Sequence, residues 1–183
     1  MRYTRRITAA AAAAGMLMLC GCEGGMPFGS AQLPDMTAGW TAQAEISYGE
    51  STAQAEVTRS EPGCWQFAFT QPQELCGVTM RLENGELTAS LGSLSVTAGE
   101  GDYTMLPVMI ADGVDSLSNA EIGTLTEENG VLTARLTIDG ATCVITADKA
   151  TGDIISFKSP DGRLAAFFSE VAPYTEEVGL VDE

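Results

Sequence analysis

The sequence contains no histidine. That excludes Ser-His-Asp and Cys-His catalysis and the usual imidazole zinc sites, and it removes the side chain best suited to proton transfer near neutral pH. Basic residues are scarce. Nine lysines and arginines stand against 25 acidic residues, and three of the nine, Arg2, Arg5 and Arg6, fall at the very start. A chain of net charge −16 repels nucleic acid and anionic headgroups, so no DNA or RNA partner is expected and the charge is read as serving solubility. No hydrophobic run is long enough to cross a bilayer as a permanent helix; the longest, residues 7–19, follows the three arginines and has the length of a signal peptide.

That run ends in Leu19-Cys20-Gly21-Cys22, which resembles the bacterial lipobox. Small residues there fit a peptidase cleft, and a thiol is the nucleophile that can take a diacylglyceryl group. Residues 1–21 are therefore expected to be a lipoprotein signal peptide, with cleavage before Cys22 and lipid on its sulfur. Each buried methylene of an anchor contributes about 0.8 kcal/mol, and more than one chain makes anchoring stable. The expected location is the cell membrane, lipid-anchored, with the remainder on the extracytoplasmic side. Removing residues 1–21 from the 183 leaves 162, enough for one domain, with six basic against 25 acidic side chains, a net of −19.

Three cysteines remain beyond the anchor: Cys64, Cys76 and Cys143. They cannot all pair within one chain; either Cys64 bridges Cys76 and leaves Cys143 free, or all three stay reduced. No two share a metal-knuckle spacing. Asp112, Asp115 and Asn119 do not match a twelve-residue calcium loop and read as a solvated helix face. No metal and no cofactor are expected.

Residues 22–37 are rich in Gly and Pro and read as a tether. From Trp40 the pattern alternates with period two, predicting strands near 40–48, 52–59, 65–69, 77–83, 86–91 and 93–97. The third places Trp65, Phe67 and Phe69 on one face. Leu106, Met109, Ile110, Gly113, Val114 and Leu117 then recur at helical spacing, with Pro107 suited to a first turn, and predict one amphipathic helix over about 105–118. Five more strands follow, near 121–127, 131–138, 141–147, 153–158 and 163–169. Asn84-Gly85, Asn129-Gly130 and Asp139-Gly140 mark tight turns. The expected fold is mainly β with one lid helix: a curled antiparallel meander of about eleven strands forming an open, incomplete barrel. The domain is expected over 38–170, with an acidic tail over 171–183.

Arg59, Pro62-Gly63, Trp65, Phe67, Phe69 and Pro72, followed by Asn84-Gly85-Glu86-Leu87 and later by Asp148-Lys149-Ala150-Thr151-Gly152, make an order of motifs that resembles the LolA/LolB-like lipoprotein carriers and their Gram-positive membrane lipoprotein relatives. The likeness covers about residues 38–170. It implies an incomplete barrel with a helical lid around an apolar cavity that takes acyl chains. The chain departs from the carriers in its Gly/Pro-rich start, where they have a long first helix, and in the hairpin after Asn84, which lacks the aromatic residue frequent in the family.

The residues expected to line that cavity are Trp40, Trp65, Phe67, Phe69, Leu106, Met109, Ile110 and Leu117, the alternative being that these simply fill the core. Apolar burial yields roughly 25 cal/mol per Å² whether the partner is a side chain or an acyl chain. Met105 and Met109 adapt well to irregular apolar ligands. Arg59 and Arg81 either contact a phosphate headgroup or pair with surface carboxylates. No nucleophile–base pair or carboxylate pair has recognisable context, and no enzyme is expected. The function expected is a lipid-anchored extracytoplasmic binding protein holding an acyl chain or lipidated peptide; the alternative is a non-enzymatic sensor or interaction domain contacting an envelope protein.

Overall fold

Alternation of buried and exposed side chains runs through the strands and sets their two faces. A computed structural model of the chain describes residues 37–98, 106–118, 122–138 and 140–176. The leader, Cys22, nearly all of the tether, Met105, Asn119 and positions 177–183 of the tail lie outside the described residues. Within them, β1 (Trp40–Tyr48), β2 (Ser51–Glu61), β3 (Cys64–Gln71), β4 (Val78–Glu83), β5 (Glu86–Leu91) and β6 (Leu94–Ala98) precede α1 (Leu106–Asp115) and a 3-10 turn (Ser116–Ser118). Then come β7 (Ile122–Glu128), β8 (Val131–Ile138), β9 (Ala141–Asp148), β10 (Ile154–Lys158) and β11 (Leu164–Pro173). This is the expected eleven-stranded antiparallel sheet with one helix, and β11 continues past the expected domain end at 170.

The meander departs from a simple sequential order. The sheet order is β6-β5-β4-β3-β2-β1-β11-β10-β9-β8-β7, so the first and last strands pair in the middle and the seam lies between β6 and β7. The physical reason is local. Every other consecutive pair of strands is joined by a short connection, whereas β6 and β7 are separated by the segment containing α1, which holds no register between them. β1 and β11 meanwhile match from Trp40↔Pro173 to Tyr48↔Leu164, interrupted by a bulge between Thr41 and Gln43. The helix packs against β4 from one half of the sheet and β9 and β10 from the other. Asn84-Gly85 and Asn129-Gly130 form the expected turns, with φ of 51° and 80°, and 52° and 81°.

The concave face carries the core: Ala44 and Ile46 of β1, Val57 of β2, Trp65 and Phe67 of β3, Leu136 of β8, Ile145 of β9, Phe157 of β10 and Ala166 of β11. Trp65 meets Trp40 edge-on at 5.2 Å between ring centroids and stacks on Phe67 at 5.8 Å, geometries that aromatic pairs favour. α1 buries Val108, Ile110, Ala111, Gly113 and Val114 against this bowl. Gly113 is required by closeness: a β-carbon there would overlap Cε2 of Phe157 and stand 2.9 Å from its Cδ2. Gly113→Ala is expected to cost about 1–3 kcal/mol, the usual range for overpacking, read as a lower urea midpoint at unchanged slope. A loss below about 0.5 kcal/mol would mean that the fully buried Phe157 ring can move aside, contrary to this packing.

The cysteines do not bridge. Cys64 opens β3 and Cys76 lies beyond its far end; an eight-residue strand spans roughly 26 Å, whereas a disulfide needs Cα atoms within about 7 Å. All three are free. Burial raises the pKa of the Cys143 thiol, and burial followed by the bond to Glu61 raises that of Cys64.

The β9–β10 turn is held by Asp148, whose Oδ1 accepts from the N–H groups of Thr151 at 3.0 Å and Ala150 at 2.7 Å. These bonds hold its carboxyl below its ordinary 3.8. A folded-state pKa that is depressed contributes stability above the unfolded value and loses it as pH falls through the folded one. Asp148→Ala is therefore expected to melt lower than the parent at neutral pH. That gap should be complete above pH 3.8 and shrink on further acidification; a gap that persists unchanged would show the carboxylate is not its source.

Candidate functional site

A groove of about 580 Å³ opens at the rim where α1 begins. Its floor is Ile46 near the end of β1 and Phe69 near the end of β3. One wall is Leu106 and Pro107 of α1; the other is Pro72 and Leu75 of the β3–β4 loop, with Met80 of β4. Ser51, Thr52 and Ala53 of β2 and the half-exposed Tyr48 complete the lining. No carboxylate, amine or guanidinium is among these residues. The polar atoms offered by their side chains are three hydroxyls, so the groove suits an apolar chain and leaves any charged head in solvent.

The loop wall is preset by its own backbone. Leu75 N–H donates to Pro72 O at 2.9 Å, Val78 N–H to Leu75 O at 2.9 Å, and Gly77 N–H to Phe69 O at 3.1 Å. These bonds tie the loop to the end of β3 and hold Leu75 in place as part of the wall.

At the opposite end of the bowl, Asp115 closes the helix onto the sheet. Its Oδ1 accepts from Arg59 Nε at 2.7 Å, while Oδ2 accepts from Trp65 Nε1 and Gly63 N–H, each at 2.8 Å. Arg59 is 1% exposed and Asp115 18%. Arg59 Nη1 also donates to Ala38 O at 2.9 Å, and its Cζ lies 5.8 Å from the Trp65 ring centroid. A carboxylate on the last residue of a helix opposes the helix dipole, and this cluster of donors offsets that. The solvated face expected for Asp115 is thus not where the structure puts it.

Of the eight residues expected to line the cavity, Phe69 and Leu106 line the groove. Trp40, Trp65, Phe67, Ile110 and Leu117 are buried in the core, and Met109 is partly buried against it. The aromatic stripe splits along its length: its first two rings are covered by α1 and by neighbouring rings, and only the third reaches the rim. The groove residues that sequence reasoning missed are small or flexible ones, Ala53, Leu75 and Met80, which leave space where large rings would fill it. Neither arginine expected at a headgroup lies beside the groove. Arg59 is enclosed by the Asp115 cluster. Arg81 neighbours Met80 on a strand, so it points to the other face; it is 61% exposed and pairs with Glu83 at 2.6 Å. Among the described residues no cluster of three metal-ligating acids or thiols occurs.

No family model matches the chain, and no curated protein matches it. Solved structures do resemble it. An uncharacterized conserved protein from Thermus thermophilus superposes with a TM-score of 0.50 at 13% identity, over 76% of this chain and 80% of its own. A LolA superfamily protein from Nitrosomonas europaea gives 0.43 at 10% identity, over 80% and 90%. Lipoprotein LppX from Mycobacterium tuberculosis gives 0.40 at 12% identity, over 76% and 89%. At these identities the likeness is one of fold alone, the open antiparallel sheet with one helix described above.

Proposed function

We propose that this chain is a lipid-anchored binding protein on the extracytoplasmic side of the cell membrane, which takes an acyl chain of a lipid or a lipidated peptide into the groove beside α1. The observation that carries this reading is the uncharged, almost wholly apolar lining around 580 Å³ of space. That volume falls in the range of about 300–1,000 Å³ in which small-molecule sites occur. Ten buried methylenes supply about 8 kcal/mol, against an association cost of roughly 4 kcal/mol or more; short chains bind poorly and long ones well. The chain enters from the rim between Tyr48 and Leu106, and its polar end stays near the hydroxyls of Ser51 and Thr52. Lipid on Cys22 would confine such a protein to its own membrane, where it acts as a local holder of cargo.

Native mass spectrometry of the full chain, gently extracted from its host membrane, tests both parts. The expected spectrum shows a chain beginning at lipid-modified Cys22 plus a second, non-covalent mass of a lipid or lipopeptide. A chain beginning elsewhere, without lipid, contradicts the anchor. Repeated absence of the non-covalent mass contradicts the holder.

A further inference from the structure

Among the described residues the two edge strands of the sheet, β6 and β7, have no further strand beside them and are protected unequally. β7 carries Glu127 and Glu128, and Glu127 Oε2 is held 2.7 Å from Lys149 Nζ. β6 carries no charge, nor does any residue from 87 to 99. It has no proline and no bulge; Leu94, Ser95, Val96, Thr97 and Ala98 all pair with β5 in unbroken register. Leu94 and Val96 are each 72% exposed. Edge strands ordinarily carry a charge, a proline or a bulge against pairing with another chain. β6 has none of these.

Its free edge presents a defined set of groups. β5 and β6 are joined by the two-residue turn Gly92-Ser93, with Gly92 at φ 58° and Leu91 facing Leu94. In such a hairpin the residues flanking the turn exchange both backbone bonds, and the pattern then alternates. Leu94, Val96 and Ala98 therefore bond inwards to β5, and the N–H and C=O groups of Ser95 and Thr97 point outwards.

The strand also matches itself when reversed. Paired antiparallel about Val96, Leu94 faces Ala98, Val96 faces Val96, and Ser95 faces Thr97. Ser95 and Thr97 then exchange backbone bonds, and their hydroxyls meet on one face, as those of Thr88 and Thr97 already do at 3.2 Å across β5 and β6. The apolar side chains meet on the other face, the one that carries Leu87, Ala89 and Leu91. A second copy fits this edge because it supplies the matching row of N–H and C=O groups, and two chains of net charge −16 repel one another least along a strand that carries no charge.

We infer that β6 is a homodimer interface, in which two copies pair their β6 strands antiparallel across a twofold axis through Val96 and join two sheets into one. Sedimentation of the full chain in detergent should show a concentration-dependent dimer. Thr97→Pro removes an N–H that faces away from β5, and Val96→Lys sets like charges opposite one another; each should weaken dimerisation at least about tenfold. A covalent test does not depend on those variants folding well. Val96→Cys should form disulfide-linked dimers on mild oxidation, because directly opposed β-carbons lie about 4.5–5.5 Å apart. Leu94→Cys in the same background should not, since its copy sits roughly 13 Å away along the strand. The inference is overturned by a monomer at every concentration, by a dimer that both β6 variants leave intact, by equal cross-linking of the two cysteines, or by an extended segment of a different envelope protein occupying β6 instead.

Discussion

Asp115→Ala is expected to lower the stability of the domain by about 3–5 kcal/mol, the range found when one partner of a buried ion pair is removed. Against a usual total of about 5–15 kcal/mol, that is enough to bring the domain near unfolding. The substitution leaves Arg59 Nε, Trp65 Nε1 and Gly63 N–H without their acceptor at once, and an unpaired buried donor costs far more than its bond contributes. The converse change should be milder. Arg59→Met keeps the apolar stem against Trp65 and leaves Asp115 two of its donors, and Asp115 retains some solvent contact at 18% exposure. It also removes Nη2, which is buried without a hydrogen-bond partner. The expected order of urea midpoints is parent above Arg59→Met above Asp115→Ala. Equal losses for the two variants would mean the ion pair itself, and not the three-donor acceptor, fixes the helix. The consequence for function runs along α1: Asp115 fastens one end, while Leu106 and Pro107 at the other form a groove wall. Loosening the first end should widen and soften the second.

Ala53→Arg is expected to abolish acyl uptake while leaving the fold in place. Ala53 lies on the groove lining and is only partly buried, so a long polar side chain there can occupy the channel and still reach solvent with its charged head. Excluding about five methylenes removes roughly 4 kcal/mol of binding, on the order of a thousandfold in affinity. Phe69→Ala is the informative contrast. It deepens the groove floor and costs stability, about 3–5 kcal/mol for a well-buried ring, but it leaves space for a chain, so the folded fraction should still bind. Loss of uptake in Phe69→Ala with retention in Ala53→Arg would place the ligand elsewhere. Arg81→Ala, on the opposite face of β4, should leave uptake unchanged within about 0.5 kcal/mol.

How much of this was readable in advance depends on the range of the interaction. Strands such as β3 announce themselves because Trp65, Phe67 and Phe69 alternate with polar residues, and the Asn-Gly pairs fix the turns between neighbours. α1 was legible from the spacing of Leu106, Met109, Ile110 and Leu117. The pairing of β1 with β11 was not, since nothing local to Trp40 or Pro173 records a contact across most of the chain. The same holds for the bond from Arg59 to Asp115, 56 positions apart. A signal for it did exist: an acidic residue at a helix C-terminus is unfavourable without a cationic or N–H partner, and Arg59 is one of only nine basic residues in the chain. The groove was misplaced for a different reason. Sequence patterning identifies large rings that can line a cavity, but space is created by what is small, and Ala53 beside Met80 and Leu75 carries no pattern of its own.

Cargo holding depends on the groove admitting a chain. Crystals of the full chain grown with a long fatty acid brominated near its methyl end would locate that chain by the anomalous signal of bromine. The predicted peak lies between Phe69, Leu75 and Met80 in the parent and vanishes in Ala53→Arg. A bromine peak elsewhere, or a groove closed by its own side chains with no peak at all, would contradict it.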